Sequence, residues 1–109
     1  MLPSILPWKT LSATLGFGVL DEHWNLAEAL PGGGDVARTF THQVEFATAF
    51  EAPPVVQLAL TGFDIDQRDS SRLSIKASEI TTHGFQIEIT TWLETRVYAV
   101  ECSWFAIGA

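Results

Sequence analysis

Four side chains, Asp35, Arg72, Trp92 and Tyr98, are of the types that bind a neutral, polyhydroxylated ligand. Hydroxyls that both donate and accept call for a carboxylate or amide, a fork of donors, and an apolar surface for the C–H faces of a ring. Hydrogen bonds to a charged partner are the stronger ones, and an indole or phenol gives the apolar surface a polar edge. Asp35 supplies the carboxylate, behind a Gly32-Gly33-Gly34 run in which Gly33 lets the backbone approach a ligand closely. Arg72 supplies a planar fork that suits neighbouring oxygens better than a lysine ammonium would. Each residue also has a plainer role. Asp35 could close a glycine turn as an Asx residue. Arg72 could sit in a surface ion pair with Asp66 or Asp69, which contributes little. Trp92 and Tyr98 could be core.

Catalytic constellations are harder to assemble. Asp64 and Asp66 are a carboxylate pair, but a glycosidase needs two carboxyls facing each other across a cleft, one with a raised pKa. On a polar loop such as 64–71 both would be solvated. His23, His42 and His83 lack metal-ligand spacing, and no acidic cluster has the pattern of a Ca²⁺ loop. Cys102 is the single cysteine and falls in mid-strand, so no intrachain disulfide can form. A binding protein without enzymatic activity, metal or cofactor is expected.

The elements that must position these residues read as strands. Phe40-x-His42-x-Val44-x-Phe46 alternates with period two, and Pro53-Pro54 punctuates before a strand over Val55 to Phe63. Residues 64–71 form a polar loop, Leu73 to Ile80 alternates again, and Thr82-His83-Gly84 makes a turn into Phe85, Ile87 and Ile89. Arg96 to Ile107 is the last strand, with Tyr98, Val100, Cys102, Trp104 and Ala106 expected on one face and Val97, Ala99 and Phe105 on the other. Trp104 and Phe85 are assigned to the core. With a first strand over Leu15 to Leu20, about six strands result, and no window has a helical repeat. An all-β antiparallel sandwich follows, as one domain over 1–109 with an N-terminal arm over 1–14.

A sandwich buries one face of each sheet, so apolar residues on both faces of the last strand call for a cover. Association with further copies is the favoured cover, and an arm over Leu2 to Trp8 the alternative. The net charge of −7, with only six scattered Lys and Arg, argues against nucleic acid and anionic membranes. Leu11 to Leu20 is too short to span a bilayer and lacks a clear signal-peptide cleavage site, so no membrane insertion is expected.

Taken in order, Phe46, Pro53-Pro54-Val55-Val56, Arg72, Gly84-Phe85, Thr91-Trp92-Leu93-Glu94-Thr95-Arg96-Val97-Tyr98 and Ser103-Trp104 resemble the H-type lectin domain, the fold of snail agglutinins and of the C-terminal part of discoidins. The match runs from about Gly33 to Gly108. The resemblance implies a six-stranded β-sandwich assembling as a trimer, and possibly a hexamer. It also implies binding of galactose- or N-acetylgalactosamine-type glycans between protomers, and secretion or surface display; calcium independence is expected because no acidic cluster resembles a Ca²⁺ loop. It places Gly33, Asp35, Arg72 and Leu93 at the sugar, with Trp92 and Tyr98 contributed by a neighbouring protomer. Leu93 departs from the polar residue of the snail agglutinin, which leaves the sugar preference open. Glu51 and Ile89, where animal relatives carry disulfides, hold no sulfur, in keeping with a reducing compartment or a prokaryotic source. The alternative function is a trimeric structural or receptor-docking module of a phage-like particle or adhesin, with a weakened or absent sugar site.

Overall fold

The structure, a computed structural model, describes residues 8–28 and 36–109. Six strands form among them: β1 Lys9–Gly18, β2 Arg38–Glu45, β3 Val55–Ile65, β4 Ser74–Ser78, β5 Gly84–Thr91 and β6 Val97–Gly108. They make two antiparallel three-stranded sheets, ordered β1-β6-β3 and β2-β5-β4. The expected all-β fold is present, and the period-two pattern is its cause. Phe40 and Val44 of β2, Phe85, Ile87 and Ile89 of β5, and Val100, Cys102, Trp104 and Ala106 of β6 turn to one shared interior. Phe85 and Trp104, both core as expected, meet edge to face with centroids 5.3 Å apart. Phe46 packs on Phe50, Phe85 and Trp104 and closes that end of the core.

Two boundaries differ from expectation. Strand β1 begins at Lys9, so residues 9–14 of the expected arm are strand. Leu11, Leu15 and Phe17 face inward and alternate with Thr10, Ser12 and Thr14, a period-two pattern that continues the strand back to Lys9. The rest of the arm, 1–7, lies outside the described residues.

The second difference is a bulge in β6. Asp64 pairs with Ala99 and Ile65 with Val97, which leaves Tyr98 without a partner in β3. The extra residue reverses the alternation. Val97, expected on the outer face, is fully buried, and Tyr98 leaves the Val100–Cys102–Trp104 face to border a groove with Gly18, Asp64 and Ala99. Gly18 matters to this contact, because a Cβ there would lie 2.6 Å from the Tyr98 carbonyl oxygen.

The registers gather three connections at one end of the sandwich. Gly18 at the end of β1 pairs with Ala99, and Ile65 at the end of β3 pairs with Val97 at the start of β6. Arg38 at the start of β2 pairs with Thr91 at the end of β5, beside Ser74 at the start of β4. The β1–β2, β3–β4 and β5–β6 connections therefore emerge together.

Candidate functional site

The end formed by these three connections holds every expected binding residue that is described. Residues 92–96 make the corner from β5 to β6, and 66–73 cross from β3 to β4. Two buried threonines join them. Thr91 Oγ1 donates to the Arg72 carbonyl (2.5 Å) and Thr95 Oγ1 donates to the Ser70 carbonyl (2.6 Å). A hydroxyl costs free energy to bury unless it is bonded, so these threonines are fully buried because the loop supplies acceptors.

Arg72 lies over this junction with its side chain 22 % exposed. Its Nη1 donates to Thr95 Oγ1 at 3.0 Å and stands 3.6 Å from Asp69 Oδ1. Among the described residues, Nε and Nη2 make no hydrogen bond. The alternative role of Arg72, an ion pair with Asp69, is thus also present.

Trp92 and Leu93 are half-buried at the corner. Leu93 has φ 57°, in the left-handed region, which costs a non-glycine residue roughly 1–2 kcal/mol. The Leu93 carbonyl is held by Arg38, a residue with no counterpart among the expected site residues. Arg38 is the first residue of β2, in phase with Phe40, His42 and Val44, and that phase is the signal that would have placed it inside. It is 5 % exposed, and its Nη2 donates to the carbonyls of Leu93 (3.0 Å) and Thr95 (2.7 Å). Its Nη1 donates to the carbonyls of Leu26 (3.5 Å) and Glu28. Burial, and after it the Arg96 charge, pushes the guanidinium below its ordinary pKa, but an arginine stays charged at neutral pH.

The first connection is pinned against the same end. Leu26 is fully buried and its carbonyl accepts from Val97 N at 2.6 Å, while Trp24 Nε1 donates to the Val97 carbonyl at 2.9 Å. Gly33 and Asp35, further along this connection, lie outside the described residues.

Tyr98 occupies a separate cluster. Its hydroxyl donates to Asp66 Oδ2 at 2.9 Å, and Arg68 Nε and Nη2 grip the same carboxylate. The Arg68 side chain and backbone N–H, then the Tyr98 hydroxyl, hold Asp66 well below the usual carboxylate range, and Asp66 in turn raises Arg68. No hydrogen bond among the described residues joins Tyr98 to Arg72. Within one chain the structure thus bonds Arg72 to Thr91 and Thr95 at the two ends of the corner, and bonds Tyr98 to Asp66 of the same 66–73 connection.

Comparison with known proteins bears on this end of the molecule. The H-type lectin domain model matches residues 41–107, a span that contains Arg72, the 92–96 corner and Tyr98. A Fuscovulum blasticum protein described as ORF 7 of the ATP synthase subunits region is 38 % identical over 76 residues, which are 70 % of this chain and 66 % of that protein. Two structures of discoidin II from Dictyostelium discoideum, native recombinant and wild-type, superpose with TM-scores of 0.76 and 0.77 at 22 % identity. They cover 98 % and 99 % of this chain and 39 % of theirs. The chain thus spans just under two thirds of that relative and well under half of discoidin II.

Proposed function

Because the chain belongs to the H-type lectin domain family, we propose that it binds carbohydrate without calcium or catalysis, at sites between the protomers of a trimer. Galactose- or N-acetylgalactosamine-type glycans are the proposed ligands. The observation that carries this reading is Arg72 held at one nitrogen. Nη1 is anchored to Thr95 and Asp69, which presets the guanidinium plane, while Nε and Nη2 make no hydrogen bond among the described residues and would serve vicinal hydroxyls. Asp35 and Gly33 complete the proposed polar set. Leu93 offers an apolar contact where a polar residue would donate, which suits an acetamido methyl.

Tyr98 supports the intersubunit placement. It borders the outer groove of the β1-β6-β3 sheet and is not bonded to Arg72 within its own chain. A neighbour's Tyr98 and Trp92 brought to Arg72 would supply the stacking surface. Binding at one site would be weak, because few contacts must offset the ordering of a flexible sugar. Three sites on one glycan-coated surface multiply that affinity.

A glycan array on the purified protein in EDTA, run beside Arg72→Ala, tests this. Binding to galactose-type glycans that vanishes in a folded mutant supports the reading. Equal binding by both removes Arg72 from the site. A trimeric docking module without a sugar site is the second reading, favoured by the internal contacts of Arg72 with Asp69 and Thr95. It predicts a silent array from a trimeric protein.

A further inference from the structure

One guanidinium, that of Arg38, ties two of the three connections at the proposed ligand-binding end. Nη1 serves the carbonyls of Leu26 and Glu28, and Nη2 serves those of Leu93 and Thr95. The two carbonyls on Nη2 are alternate ones, at 93 and 95, and they point into the molecule together. Leu93, which carries the first of them, has a left-handed backbone. With both carbonyls turned inward, the half-buried side chains of Trp92 and Leu93 are left at the rim. Thr95 extends the connection. Its carbonyl accepts from Arg38 while its hydroxyl accepts from Arg72 Nη1, so a single residue lies between the buried arginine and the half-exposed one.

We infer that Arg38 is a positioning residue of the ligand site: it touches no ligand, but fixes the 92–95 corner and, through Thr95, the plane of Arg72. This rests on the lectin reading above for what the site binds, and on the backbone contacts alone for what Arg38 holds. A lysine would keep the charge but not the function, because one ammonium nitrogen cannot reach carbonyls on two connections as a planar fork does.

The test compares wild type, Arg38→Lys and Arg38→Met, each full-length, by hydrogen exchange and by titration with immobilised galactose- and N-acetylgalactosamine-terminated glycans. In Arg38→Lys, exchange at residues 92–96 is expected to rise at least tenfold while the interiors of β5 and β6 stay protected. The glycan Kd should rise at least fivefold at an unchanged folded fraction. If Arg38→Met does not fold, the lysine variant carries the test. Unchanged exchange at 92–96, or faster exchange spread evenly over β2 and β5, would show a general structural role and overturn the inference. An accelerated corner with unchanged Kd would also overturn it. Silence of the wild type on both glycans would sink the lectin reading, and exchange at 92–96 would then alone decide whether Arg38 sets the corner.

Discussion

Across the outer face of the β2-β5-β4 sheet, the rows read Thr39–Thr90–Ser74, Thr41–Glu88–Lys76 and Gln43–Gln86–Ser78. Across that of the β1-β6-β3 sheet they read Thr10–Ile107–Val55, Ser12–Phe105–Gln57, Thr14–Ser103–Ala59 and Gly16–Glu101–Gly62. The first set is complete in water. Hydroxyls meet hydroxyls, as Thr39 Oγ1 and Thr90 Oγ1 do at 2.9 Å, and Glu88 stands between Thr41 and Lys76. The second set has polar residues too, with the Thr14 and Ser103 hydroxyls 2.9 Å apart, but it sets Ile107, Phe105 and Val55 among glycine and alanine. On this face Phe105 is 40 % exposed and Val55 59 %. Small residues beside large ones let another surface approach closely, and contiguous apolar area on one face marks an interaction site. The two sheets share a core but differ in what their outer faces require, and the proposed trimer is assigned to the β1-β6-β3 side.

The largest effect tests the shared core on which this contrast rests. Trp104 of one sheet packs on Phe85 of the other, so Trp104→Ala should destabilise the whole domain by about 3–5 kcal/mol. Urea unfolding should remain a single transition. If the β2-β5-β4 sheet kept its protection while the other melted, the sheets would be independent units and their outer faces could not be compared as parts of one design.

Next comes the apolar face itself. Phe105→Glu should dissociate the assembly, taking the mass in light scattering from three times 12.0 kDa to 12.0 kDa, without loss of β structure. Thr41→Glu, on the polar face, should leave the mass unchanged. A wild-type monomer at micromolar concentration would remove the intersubunit site, and an effect of Thr41→Glu alone would move assembly to the other sheet.

The strands and core were legible because alternation reports which face is buried. Phe40, Val44, Phe85, Ile87 and Ile89 each stand where period two puts them. Two features lay beyond that signal. A bulge adds one residue without changing composition, so nothing local to Val97-Tyr98 announces that Val97 turns inward. Buried polar residues such as Thr91 and Thr95 are recognisable only once their carbonyl partners, distant in sequence, are known. Arg72 and the 92–95 corner meet through such contacts, and Tyr98 reaches the same connection through Asp66.

A smaller effect is expected from the Tyr98 cluster. Asp66 titrates below the usual carboxylate range, so its tether to Tyr98 is complete above that range and is lost only as pH falls through the lowered value. Glycan binding should therefore be flat from about pH 8 down to about pH 5, where ordinary carboxylates remain charged. Asp66→Asn should weaken binding a few-fold without changing trimer mass. A decline in the wild type already near pH 6 would point to a different titrating group.

The smallest effect belongs to the polar face, where the contrast is most easily refuted. Thr39→Ala removes one cross-strand hydroxyl pair at an exposed position, and such pairs are worth about 0.2–1 kcal/mol. The expected result is a slight fall in the unfolding midpoint, with trimer mass and glycan affinity unchanged. The reason is geometric. Thr39 neighbours Arg38 in sequence, but successive strand residues point to opposite faces, so the hydroxyl is on the far side of the sheet from the guanidinium that holds the corner. If Thr39→Ala reduced binding as much as Arg38→Lys does, the corner would depend on the β2 backbone as a whole and not on the fork of a single arginine.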